Sequence, residues 1–111
     1  MKVTLAGRIQ AAILIPSKDR TGKRINQRKL ADEIHSYFAK SFGGATELSG
    51  VGSWNGENGI VREKALEVSV FTSLRRKKIF AILKRIAGTV LKTANQESVG
   101  FRIGNDFYLV G

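Results

Sequence analysis

Residues 55–72 read NGENGIVREKALEVSVFT. The opening Asn55-Gly56-Glu57-Asn58-Gly59 is a turn signal, because glycine adopts the positive φ that tight reversals demand. The next thirteen residues alternate. Leu66, Val68 and Val70 fall on one side, with Glu67, Ser69 and Phe71 on the other, which is the period-two pattern of a half-buried strand. Upstream, ATELSGVGSW (45–54) alternates more weakly and is interrupted by Gly50 and Gly52, which predict a bulge or a sharp bend. Joined by the turn, the two segments form a long hairpin.

Helical patterns flank this hairpin. Before it, Leu30, Ile34 and Phe38 recur at i, i+4 and i+8 with Tyr37 beside them, behind a capping Asn26 and ahead of the Gly43-Gly44 stop. After it, Ile79, Ile82, Leu83, Ile86, Val90 and Leu91 form a second stripe, with Ser73 as the expected N-cap and a stop near Asn95. Strand patterns close both ends. IQAAILI (9–15) is apolar on both faces, as expected of a central strand, and Pro16 ends it; residues 2–7 are a potential extension with Gly7 as a bulge point. ESVGFRI (97–103), the turn Gly104-Asn105-Asp106 and FYLV (107–110) make a last hairpin. The order β-α-β-β-α-β plus a short C-terminal strand predicts an α+β, ferredoxin-like domain over residues 1–111: an antiparallel sheet with both helices on one face. The opposite face then requires solvent, a ligand or another subunit, and a homodimer through that face or the edge strands is expected.

Nineteen Lys and Arg stand against nine Asp and Glu, a net charge of +10. That balance favours polyanionic partners, nucleic acid above all. There is no cysteine, which excludes disulfides, thiolate catalysis and cysteine-based zinc sites. The apolar run AAILI (11–15) is far too short to cross a bilayer, so no membrane partner is expected and a cytoplasmic location is.

Two basic segments are the leading candidate site. The loop PSKDRTGKRINQRK (16–29) holds Lys18, Arg20, Lys23, Arg24 and Arg28. The run LRRKK (74–78) puts Arg75, Arg76, Lys77 and Lys78 at a helix N-terminus, where the macrodipole favours acids, and free N–H groups there suit an anion. Both strand-to-helix loops are expected to open at the same end of the sheet, so the two segments should converge into one phosphate-binding patch. Trp54, the only tryptophan, is a candidate for stacking on a base, against the ordinary alternative of packing in a core or interface.

Catalytic chemistry is harder to place. The only histidine, His35, lies beside the helix-one stripe, in a structural position. Glu63 and Glu67 share a strand face, where salt bridging is a better reading than metal binding. No HxxxH, HExxH or phosphate-loop spacing occurs, so no metal or cofactor is expected. A nuclease of the kind that carries an Asp at the end of strand one would find Ile15-Pro16-Ser17 there, with Asp19 only later in the loop.

FGGAT (42–46), GSW (52–54), GIVRE (59–63) and QESV (96–99) together resemble a loosely defined group of small bacterial and phage proteins of unassigned function, over roughly residues 28–103. The resemblance implies a ferredoxin-like α+β fold and carries no activity. The expectation at this point is a non-enzymatic protein that binds nucleic acid through a basic face. The alternatives are a phage or mobile-element protein that inhibits a host defence complex, and a dimer that binds a small nucleotide messenger.

Overall fold

The computed structural model describes all 111 residues. The elements run β1 (Ile9–Pro16), α1 (Gln27–Phe42), β2 (Thr46–Gly56), β3 (Gly59–Thr72), α2 (Arg76–Thr93), β4 (Val99–Ile103) and β5 (Asp106–Val110). The strands form one antiparallel sheet in the order β2-β3-β1-β4-β5, the ferredoxin-like arrangement with one added strand. The apolar stretch at 9–15 sits in the middle, as its two-faced pattern requires.

Period-two alternation decides which residues meet the helices. Ala11, Ile13 and Ile15 lie in register with Val70, Val68 and Leu66 on one side, and Ala11 and Ile13 with Ile103 and Phe101 on the other. These side chains face Leu30, Ala31, Ile34 and Phe38 of α1 and Ile79, Leu83, Ile86, Ala87 and Val90 of α2. Phe38 and Phe101 are the largest fully buried side chains. Helix α1 starts where expected: the Asn26 side chain accepts the Lys29 N–H, and Gly43 ends the helix in the left-handed region at φ 89°.

Four details differ from the sequence expectation. First, Gly50 and Gly52 make neither bulge nor break. The β2–β3 ladder pairs residue for residue from Thr46↔Ser69 to Gly56↔Gly59. The hairpin reverses through Glu57-Asn58, and Gly59 takes the positive φ of 115°. Second, α2 begins later than Ser73. Arg75 is its N-cap and contributes no capping side chain. Third, residues 2–7 do not extend β1, because β3 ends at Thr72, opposite Ile9, and leaves them no partner strand. Gly7 instead rests on the backbone of Phe71 and Thr72, so closely that an added Cβ would lie 2.5 Å from the Phe71 carbonyl carbon.

The fourth difference bears on function. β1 pairs antiparallel with β3, and Pro16 at the end of β1 lies opposite Ala65, seven residues before β3 finishes at Thr72. The two strand-to-helix loops therefore open at opposite ends of the sheet. β3 also continues beyond β1. Residues 51–64 form a two-stranded arm past the body of the sheet, and the molecule measures 53 × 24 × 24 Å. No helix is long and apolar enough to cross a membrane.

Candidate functional site

The two basic segments stay apart. Residues 17–25 fold back against the C-terminal end of α2. The Arg20 N–H donates to the Asn95 carbonyl, and the Gln96 amide donates to the Lys18 carbonyl. Asp19 organises this loop by accepting from the Thr21 hydroxyl, the Thr21 N–H and the Lys23 N–H, the first of which does most to hold its carboxyl below the usual range. Arg75, Arg76, Lys77 and Lys78 sit at the other end of α2, whose 18 residues span about 27 Å. Lys18, Arg20, Lys23 and Arg24 thus cannot form one compact patch with them.

Two of the nine candidate cations are already committed within the chain. Arg28 pairs with Asp32 on its own helix and with Glu47 on β2. These bonds, Glu47 first, raise its guanidinium above the ordinary arginine value, while Arg28 and then His35 lower Glu47 to about 2. His35 reaches the same carboxylate at 3.0 Å, the structural position its place on the helix suggested. Arg76 bonds the Tyr108 hydroxyl at 3.1 Å and the Asp106 carboxylate, and both partners raise its pKa, Tyr108 the more. The cation that offended the helix dipole thereby fastens α2 to β5, with Asp106 supplying the negative charge that the helix start lacks in its own sequence.

The unpartnered apolar surface lies on the sheet face away from the helices. Leu48 and Trp54 of β2, Val61 and Phe71 of β3, and Phe107 and Leu109 of β5 are all exposed there. Within this face is a cleft of about 200 Å³ at the root of the arm. Leu14, Pro16, Ala65 and Gly100 line it from the central strands, with Trp54 from the arm and Phe107 and Leu109 from β5. Gly100 has a specific part in it. A Cβ there would meet the Phe107 ring at 2.4 Å, so only glycine lets the ring lie over β4.

Two acidic side chains punctuate the apolar face. Glu63 enters the cleft, and one of its oxygens, Oε1, accepts the Ser17 N–H at 2.9 Å, the Ser17 hydroxyl at 3.0 Å and the Lys18 N–H at 2.8 Å. All three bonds fall on that oxygen. It is a loop anchor and not the salt bridge expected of it. Glu67, four residues on, does form one, with Arg102 at 3.1 Å across β1. Arg102 also donates to the Gln10 side chain at 2.8 Å. No three His, Cys, Asp or Glu side chains converge to suit a metal. This site was only partly visible in sequence. Glu63 and Glu67 at i, i+4 on an apolar strand face were the signal, and Arg102 inside VGFRI was the unread one.

No protein-family model matches the chain, and no curated protein matches it. Two solved structures do, over nearly the whole fold. One is a phage SAM lyase in its apo state, at a TM-score of 0.75 and 16% identity, covering 99% of this chain and 94% of that one. The other is a phage SAM lyase in complex with S-methyl-5'-thioadenosine, at a TM-score of 0.72 and 15% identity with the same coverage. At such identity the likeness establishes the α+β fold.

These findings overturn the expectation of a non-enzymatic nucleic-acid binder. The neighbours are SAM lyases. The basic residues meant to grip phosphates are split between opposite ends of α2, with Arg28 and Arg76 already paired. Trp54 walls a mostly apolar cleft that Glu63 and Lys64 also line.

Proposed function

We propose that this protein is an enzyme that cleaves S-adenosylmethionine (SAM), with the cleft at the root of the hairpin arm as its substrate site. The observation that carries the reading is the coincidence of a whole-chain match to SAM lyases with an aromatic, acid-bearing cleft on the open sheet face. In this reading the adenine lies against Trp54 and Phe107, whose ring faces suit a flat base. The free oxygen of Glu63 is the acidic group of the cleft and attracts the sulfonium.

Release of S-methyl-5'-thioadenosine requires the bond from sulfur to the γ-carbon of the amino-acid chain to break. Both electrons stay on sulfur, which becomes a neutral thioether. The γ-carbon is satisfied within its own fragment, by attack of the α-carboxylate or by loss of a proton from the neighbouring carbon to the free Glu63 oxygen, and no water is added. Charge is concentrated on sulfur in the substrate and spread out as the bond breaks. The apolar lining of Leu14, Pro16, Ala65 and Leu109, once roofed by a second copy of the chain, excludes the water that would stabilise the concentrated charge.

A cleft of about 200 Å³ is smaller than the roughly 300 Å³ at which enclosed ligand sites begin, and it is open to solvent. A second copy of the chain, seated on the open face, supplies a roof and covers Leu48, Phe71 and Leu109 in the same step. This assigns the expected homodimer contact to the open face rather than to the edge strands.

The test is direct. Purified protein is incubated with SAM and the products are separated by mass spectrometry. Accumulation of S-methyl-5'-thioadenosine in step with SAM loss supports the reading. Intact SAM, together with no calorimetric binding of SAM or of S-methyl-5'-thioadenosine, refutes it. Proton NMR of the four-carbon product distinguishes ring closure from elimination.

A further inference from the structure

We propose that Glu67 and Arg102 read the amino-acid end of the substrate, Glu67 taking its α-ammonium and Arg102 its α-carboxylate; this rests on the SAM-cleaving reading above. The pair lies on the same sheet face as the cleft. Glu67 is four residues beyond Glu63 on β3, about 13 Å along the strand. Leu14, Gly52 and Ala65 border both the cleft and the adjoining groove that contains Glu67, so the surface between them is continuous. From the cleft the groove runs along β3 toward the pair, so the amino-acid chain of SAM has a continuous surface to follow.

The ion pair also spans an unusual path. Arg102 belongs to β4 and Glu67 to β3, with β1 between them. Ala12 of β1 lies in register with Arg102 on one side and Ser69 on the other, and these small side chains leave a lane for the guanidinium. An ion pair crossing an otherwise apolar sheet face contributes little stability by itself, since desolvation offsets most of the attraction. Its bonding capacity is also incomplete. Arg102 uses both protons of Nη1, toward Gln10 and the Gly104 carbonyl, and Nη2 toward Glu67. Of the five guanidinium protons, Nε–H and one on Nη2 remain. Glu67 accepts through Oε1 alone. Each partner thus has spare capacity of the sign that a zwitterion needs.

The signs of the pair agree with the ligand. The amino-acid end of SAM is a zwitterion, and Glu67 and Arg102 offer it one charge of each sign, while Glu63 faces the sulfonium in a cleft that Lys64 also lines. S-methyl-5'-thioadenosine, which lacks both the zwitterion and the sulfonium, makes no use of the pair.

That difference is the test. Calorimetry measures SAM, decarboxylated SAM and S-methyl-5'-thioadenosine against the wild type, Arg102→Gln, Arg102→Lys and Glu67→Gln. Losing a charge-assisted bond weakens binding by about ten- to a hundredfold. Arg102→Gln is expected to weaken SAM by that factor and S-methyl-5'-thioadenosine by less than twofold, with Arg102→Lys intermediate because it keeps charge and loses the fork. Decarboxylated SAM should bind wild type and Arg102→Gln alike, and Glu67→Gln should weaken both amine-bearing ligands. Equal losses for all three ligands, accompanied by a fall in Tm, would make the pair structural and overturn the proposal, as would unchanged SAM affinity in Arg102→Gln. Failure of the underlying function looks different: the wild type itself then binds none of the three.

Discussion

Replacing Gly100 with alanine separates the cleft from the fold. Gly100 is buried under the Phe107 ring, which leans diagonally across from its register partner Arg102. A Cβ at position 100 lies 2.4 Å from Phe107 Cζ and 2.9 Å from Cε1. Carbon atoms pack at about 3.5–4.0 Å, so the ring must move by more than 1 Å. The magnitude of the stability cost follows from what can yield. In a closed core such overpacking costs about 1–3 kcal/mol. Phe107 is 55% exposed and its ring can swing into solvent, which lowers the cost to about 1 kcal/mol. Restricting the unfolded chain returns a few tenths of that. Thermal unfolding should therefore shift by no more than about 4 °C. Ligand binding should suffer more, because an aromatic contact to a base contributes about 1–3 kcal/mol. Calorimetry with S-methyl-5'-thioadenosine is expected to show a roughly five- to hundredfold weaker Kd. The reasoning is refuted if Gly100→Ala binds that ligand within twofold of wild type, or if Tm falls by roughly twice the stated limit while affinity is unchanged.

The remaining predictions use other parts of the molecule. Glu63→Gln keeps an acceptor for Ser17 and Lys18 but removes the negative charge from the cleft, so SAM affinity should fall about fivefold after screening, while uncharged S-methyl-5'-thioadenosine is held within twofold. Glu47 is depressed from 4.5 to about 2 by Arg28 and His35, so its stabilising effect is complete above pH 4.5 and disappears as pH falls through about 2. Melting curves of wild type and Glu47→Gln should accordingly converge across that acid window, and parallel curves would show that the carboxylate is not stabilised by its partners. Phe38→Ala, at a fully buried position against both layers, should cost about 3–5 kcal/mol and show as a large drop in the urea midpoint; a loss under 1 kcal/mol would mean that the core closes around the gap.

Local chemistry determined a large part of this protein without tertiary information. The alternation at 66–71, the stripes Leu30/Ile34/Phe38 and Ile79/Leu83/Ile86/Val90, the Asn26 cap and the Gly43 stop all act within a few residues, and β3, α1 and α2 formed over the residues they mark, α2 starting two residues later than a Ser73 cap implies. From such a sequence the antiparallel sheet with helices on one face follows as the arrangement that buries every apolar stripe. Other properties belong to the tertiary structure because they join residues distant in the chain. The direction of β1 against β3 separated two basic segments that charge counting had joined. Asp106 and Tyr108 drew Arg76 into a structural bond some thirty positions away. Glycine-rich β2 remained straight because β3 pairs with it along its full length, which no local propensity reports. The cleft is the extreme case: Trp54, Glu63, Gly100 and Phe107 come from four strands, and the pairing register alone brings one ring, one acid and one missing side chain to the same place.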